Sequence, residues 1–212
     1  MNTFDFIAIE GVIGAGKTTL ANLISQNHQA RLVLEEFEDN PFLPRFYQDR
    51  ARYAFQTQLS FLASRFNQQR NLAAKDLFHD MTVSDYLFDK DRIFARINLN
   101  DEELALYDRI YSIMSSIATK PDLVIFLQCS VEKLMDNIYR RGRPYEQDIS
   151  PDYLEELNEA YNQFFHHYDR SRLLVININE IDFVNEPEHL AYIEDQIFRQ
   201  PLRNQRIHLY PR

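Results

Sequence analysis

Residues 10 to 20 read Glu-Gly-Val-Ile-Gly-Ala-Gly-Lys-Thr-Thr-Leu and contain a complete G-x-x-x-x-G-K-[ST] pattern. Few structures suit such a run. Its glycines let successive backbone N–H groups of Gly11, Val12, Ile13, Gly14, Ala15 and Gly16 converge on phosphate oxygens, and Lys17 adds a point charge. The Thr18 hydroxyl can reach Mg²⁺, and Thr19 continues into a helix. The flanks agree with this. Residues 4–9 read as a short buried strand, and residues 18–26 carry Leu20, Leu23 and Ile24 at helical spacing, which gives the order strand, loop, helix. Of the four glycines in the chain, three are Gly11, Gly14 and Gly16, so backbone freedom is concentrated where a phosphate needs it.

The rest of the chain predicts the sheet around this loop. Apolar runs at 31–34, 81–85, 123–127 and 173–176 supply four more strands, and the run at 123–127 is of the kind covered on both faces. Helices are expected at 50–77, where Phe55, Leu59, Leu62, Phe66, Ala73 and Leu77 form an apolar stripe, and at 93–97, 101–118, 131–139, 151–168 and 187–198. Pro41 and Pro44 read as chain breaks. With 212 residues and no linker composition, the chain reads as one domain over 1–200, with a tail at 201–212 that has no legible period. The fold class is α/β: a phosphate-loop domain with a five-stranded parallel sheet flanked by helices and an arginine-rich lid.

Charge and cysteine content narrow the function classes. A net charge of −9 argues against a general nucleic-acid binder. The single cysteine, Cys129, allows no intrachain disulfide and is expected as a buried thiol at a strand end. There is no basic and apolar leader and no run of membrane-spanning length, so no membrane partner is expected and the reading is cytoplasmic. His166 and His167 are adjacent and point to different helix faces, and the other histidines have no ligand spacing.

Six pieces in order resemble the deoxyribonucleoside kinase family, over residues 4–198. They are the phosphate loop; Glu35-Glu36-Phe37 after the second strand; Phe46-Tyr47 with Gln58 and Arg65 beyond; Ser84-Asp85 through Asp91; Arg141-Gly142-Arg143 with Glu146; and Asn179 through Asp182-Phe183. The resemblance implies transfer of the γ-phosphoryl of ATP to the 5′-hydroxyl of a deoxynucleoside, with Mg²⁺, in a homodimer. It makes Glu35 the general base, with Glu36 as the alternative one residue on. Lys17, Thr18 and Asp85 then hold phosphates and metal, and Tyr47 and Glu146 contact the sugar. Gln58, preferred over Gln56 by its spacing to Arg65, reads the base with Arg65 and Asp91, and a purine is favoured. Arg141 and Arg143 close as a lid, and Asp182 and Phe183 hold the donor adenine. The apolar stripe of the 101–118 helix reads as core, with a helix-to-helix dimer surface as the second option.

One departure stands out in the fourth piece. Tyr86 and Leu87 occupy positions where the family usually has arginine and serine. Either Arg92, Arg65 or Arg45 compensates, or phosphorylation is weakened, because a phenol does not replace a planar permanent cation. Two alternatives therefore accompany the kinase reading: a thymidylate-like monophosphate kinase, and a nucleotide-binding regulatory module without turnover.

Overall fold

A computed structural model describes residues 4–36, 39–72, 78–199 and 206–209. The strands β1 (Phe6–Gly11), β2 (Arg31–Val33), β3 (Thr82–Ser84), β4 (Leu123–Gln128) and β5 (Arg172–Asn177) match the five expected ones. A sixth, β6 (Arg206–Leu209), lies in the stretch read from sequence as a tail and pairs parallel to β5. The sheet order is β2-β3-β1-β4-β5-β6, and every recorded pairing is parallel.

Helices cover both faces: α1 (Lys17–His28), α2 (Leu43–Gln48), α3 (Arg50–Leu72), α4 (Lys90–Asn98), α5 (Asp101–Ser115), α6 (Val131–Arg141), α7 (Pro151–His166) and α8 (Pro187–Phe198). β1, β4 and β5 are covered on both sides, which is why they read as nearly continuous apolar runs and why Ile7, Ile9, Ile125 and Leu174 have no exposed surface. From β1 the chain first builds toward β2 and β3 and later toward β4 and β5. The crevice at the carboxyl end of β1 is therefore the switch point where ligands bind in open parallel sheets.

Some elements differ from the sequence expectation for local reasons. Pro44 opens α2 instead of breaking the chain, because its missing N–H costs nothing in a first helical turn. α5 begins with a capping box in which Asn100 and Glu103 satisfy each other's backbone N–H groups. The stripe Leu104, Tyr107, Tyr111, Met114 and Ala118 packs on the core, which leaves Leu106, Ile113 and Ile117 exposed on other faces. In α3 the deepest side chains include Thr57, Gln58, Arg65, Gln68 and Gln69 beside Ala54 and Leu62, while Phe55, Leu59 and Phe66 are half-buried. Ala73 and Leu77 of the expected stripe lie outside the described residues. A buried polar helix face needs partners, and α3 turns it toward the crevice.

Glu10, fully buried at the end of β1, ties three segments together. Its carboxylate accepts the N–H of Gly11 at 3.0 Å and of Leu87 at 2.8 Å, and the hydroxyl of Tyr161 at 3.3 Å. A carboxylate in this position satisfies backbone donors that would otherwise be buried without partners, each worth about 1–3 kcal/mol. Cys129 directly follows β4 as a free, buried thiol whose pKa is pushed up to about 12 by burial.

Candidate active site

The phosphate loop fills the turn between β1 and α1. Gly14 and Gly16 have φ of 89° and 86°, in the left-handed region that side-chain-bearing residues avoid. A Cβ at Gly14 would also stand 2.8 Å from the Leu134 carbonyl. α6 braces the same turn, since Asn137 donates to the Gly14 carbonyl at 2.9 Å. Gly16 is the N-cap of α1 and no side chain caps it, so the first N–H groups of the helix are left for an anion. The Lys17 ammonium donates to the carbonyls of Gly11 and Val12 at 2.8 and 3.1 Å. Gly11 and Val12 are buried beneath the loop and line neither cleft described below.

Two strand ends bring carboxylates to the loop. Asp85, after β3, receives the Thr18 hydroxyl at 2.5 Å on one oxygen and the Glu35 N–H at 2.7 Å on the other. Thr18 and Asp85 thus present hard oxygens side by side, a donor set that fits Mg²⁺. Among the described residues no group of three His, Cys, Asp or Glu could hold a metal by itself. That matches a cation held largely by phosphates and water.

Glu35, after β2, points into the crevice, whereas Glu36 is exposed. Its two oxygens face two cations: Arg65 of α3 on one, and Lys90 of α4 on the other at 2.6 Å. Burial alone would raise the Glu35 pKa, but Arg65 and Lys90 hold it well below the usual carboxylate range. Arg65 also pairs with Asp91, and its guanidinium lies over the Phe61 ring at 4.8 Å. Burial works against the Arg65 charge, yet Glu35 raises its pKa above the ordinary value.

These groups share one cleft of about 790 Å³, its open mouth included. Its walls include Ile13, Gly14, Lys17, Thr18, Glu35 and Asp85 at the phosphate end. Tyr47, Gln58, Arg65, Phe61, Phe94 and Tyr161 enclose the far end. Arg141 at the end of α6, with Arg143 and Glu146 beyond it, closes the cleft. Glu146 is buried and receives Arg141 at 2.5 Å and Arg143 at 3.2 Å. Gly142 between them is the left-handed C-cap of α6, with φ of 69°. The Tyr47 and Tyr145 rings stack at 6.4 Å, and burial pushes the Tyr47 phenol well above its ordinary pKa. Asp91, expected beside Gln58 against a base, is fully buried, pairs with Arg65 and is not on the cleft wall.

A second cleft opens on the other side of the loop, lined by Ala15, Gly16 and Thr19 with Lys133, Asp182 and Phe183. Gly14 and Arg141 border both clefts. Asp182 accepts the N–H groups of Val184 and Asn185, which shapes this wall, and the Phe183 ring would lie 3.1 Å from a Cβ on Gly16.

Two clefts meeting at one phosphate loop, one holding the Glu35 carboxylate and one bordered by the Phe183 ring and Asp182, suit a transfer between two ligands. A protein-family model described as "Deoxynucleoside kinase" matches residues 7–202. The chain belongs to the deoxynucleoside kinase family. It is 40% identical over 162 residues to the deoxyguanosine kinase of Bacillus subtilis (strain 168), covering 76% of this chain and 78% of that one. It is 38% identical over 193 residues to the deoxyadenosine kinase of Dictyostelium discoideum, covering 87% of this chain and 76% of that one. The solved structure of the Mycoplasma deoxyadenosine kinase (M. mycoides) with products dCMP and a flexible dCDP bound superposes with a TM-score of 0.80 at 26% identity, over 91% of this chain and 98% of that one. This kinase is therefore an ATP-dependent phosphotransferase.

Lys90, buried on the cleft wall and paired with Glu35, is a side chain to which sequence reasoning gave no role. Of the arginines offered in place of one at position 86, only Arg65 reaches the cleft; Arg92 pairs with Asp108 and Arg45 lies beside Tyr53 at the surface. Tyr86 itself is buried, with 1% of its surface exposed. One signal for Lys90 existed: a cation in the first turn of a helix opposes the helix dipole and calls for an anionic partner.

Proposed function

We propose that this kinase transfers the γ-phosphoryl group of ATP to the 5′-hydroxyl of a purine deoxynucleoside. The observation that carries this is the position of the Glu35 carboxylate, 13% exposed and paired with Arg65 and Lys90, in the same cleft as Lys17 and the Thr18–Asp85 pair. In this reading the donor's base lies against Asp182 and Phe183, and its phosphates rest on the loop N–H groups and Lys17. Thr18 and Asp85 would hold Mg²⁺, whose charge offsets that of the phosphates. Tyr47 and Glu146 orient the sugar, and Gln58 offers a donor and an acceptor to the base edge while Asp91 fixes Arg65 from behind. The acceptor O–H proton passes to Glu35 as the new O–P bond forms and the β–γ bridge breaks. Arg141 and Arg143 turn from Glu146 toward the transferring group, where guanidinium contacts stabilise spread negative charge. The likeness to the Bacillus deoxyguanosine kinase and the Dictyostelium deoxyadenosine kinase supports the purine.

A panel of deoxyguanosine, deoxyadenosine, deoxycytidine, thymidine and dTMP with Mg-ATP tests the assignment. The purine nucleosides are expected to give the highest kcat/KM. A pyrimidine nucleoside ahead of both purines would overturn the base assignment, and turnover of dTMP alone would overturn the acceptor.

The working form is proposed to be a cytoplasmic homodimer. No helix among the described residues is long and apolar enough to cross a membrane. The core stripe of α5 is not free for a partner, but Leu106 and Ile113 on that helix and Ile117 just beyond its end are 48%, 75% and 55% exposed. Sedimentation velocity is expected to give twice the chain mass, and Ile113→Asp to shift it toward the single chain. A wild-type protein that stays single at micromolar concentration would rule the dimer out.

A further inference from the structure

Lys90 occupies the first helical position of α4, where the helix dipole disfavours a cation, and only 3% of its surface is exposed. A buried ammonium is costly unless paired, and Glu35 at 2.6 Å is its partner among the described residues. Across the cleft stands Lys17. Lys17 and Lys90 line the same cleft. Two ammonium groups that repel each other while lining one cleft form a site where a further anion is welcome. The two cations on Glu35 are not equivalent. Arg65 is fixed by Glu35, Asp91 and the Phe61 ring, whereas Lys90 ends a flexible four-carbon stem.

We propose that Lys90 is a catalytic cation that holds Glu35 in place before reaction and then moves its hydrogen bonds to the phosphoryl group arriving at the acceptor oxygen. This rests on the kinase reading above. The acceptor oxygen forms its bond to the γ-phosphorus, the bond from that phosphorus to the β–γ bridging oxygen breaks, and its electron pair leaves with the diphosphate. The hydroxyl proton goes to Glu35, and Lys90 remains an ammonium throughout. The same side chain neutralises the incoming phosphoryl oxygens.

The test compares wild type, Lys90→Gln and Lys90→Arg by calorimetric titration with the best deoxynucleoside and with its 5′-monophosphate, alongside steady-state kinetics. Lys90→Gln keeps a hydrogen-bond donor for Glu35 and removes the charge. It is expected to lose about tenfold or more in monophosphate affinity while nucleoside affinity stays within about threefold, and kcat to fall about 10²-fold with little change in KM. Lys90→Arg is expected to restore most of the monophosphate affinity. Equal losses for nucleoside and monophosphate, or no loss for either, would overturn the proposal. Failure of the kinase reading shows separately, as a wild-type protein that turns over no deoxynucleoside.

Discussion

Glu35→Gln is expected to lower kcat by about 10²- to 10⁴-fold, the range of a lost general base, while ATP affinity changes by less than about threefold. The amide keeps the side chain's shape but carries no charge, and its NH₂ group meets Arg65 or Lys90, which have donors only. The local cost falls on the acceptor end of the cleft, because the Glu35 carboxylate is bonded to Arg65 and Lys90, and its backbone N–H is what reaches Asp85. Nucleoside KM is therefore expected to rise modestly while ATP binding is spared. Retention of more than about a tenth of wild-type kcat would show that Glu35 is not the base. The wild-type pH profile follows from the same pair of cations. Arg65 and Lys90 hold the Glu35 pKa well below the usual carboxylate range, so Glu35 remains ionised across all neutral and mildly acidic pH. A fall in kcat between pH 5 and 7 must then come from another group. A carboxylate this acidic is a poor resting base, but phosphoryl transfer asks little of the base until bond formation is advanced.

How much of this was legible in the sequence depends on how local each determinant is. The phosphate loop is a backbone geometry written into eight consecutive residues, so Gly14, Gly16, Lys17 and Thr18 could be placed by pattern alone. Glu35 and Asp85 were legible as acids at strand ends, because parallel sheets put those ends at one crevice. Lys90 was hidden because its direction depends on the docking of α4 against α3, and a lysine between two aspartates reads as solvated charge. Asp91 illustrates the same limit: spacing puts it near Gln58, but only packing shows Arg65 standing between it and the cleft. The stripe of α3 packs on the core through Leu62, Phe55, Leu59 and Phe66, but how deeply its polar neighbours lie was not legible, for a related reason. Period analysis seeks apolar residues, and here the buried face also carries Thr57, Gln58, Arg65, Gln68 and Gln69; Arg65, Gln68 and Gln69 find partners outside the helix in Glu35, Leu34 and Thr119. Arg206–Leu209 was unreadable because a four-residue edge strand is specified by its pairing with β5, with no period of its own.

Arg65→Met is expected to destabilise the fold by about 3–5 kcal/mol at pH 7.5, the cost of removing one partner from a buried ionic cluster. For a domain of this size that corresponds to a fall in Tm of roughly 6–20 °C. Methionine fills much of the space over Phe61, so the loss is mainly electrostatic: Glu35 keeps only Lys90, and Asp91 loses its ion pair while fully buried. The sign of the pH dependence separates this from a packing defect. In the wild type, the folded-state pKa of Glu35 is depressed, so its contribution is fully present above the unfolded carboxylate value and is lost as pH falls below it. In the variant, burial dominates at Asp91 and raises its pKa above the unfolded value. The folded protein then binds the extra proton, and stability is lost as pH rises through that interval. The Tm gap between wild type and Arg65→Met is therefore expected to be wider at pH 7.5 than at pH 5. A gap that is the same at both values, measured by calorimetry in one ionic strength, would mean that Arg65 contributes bulk to the wall of the cleft and that Asp91 finds another counter-charge.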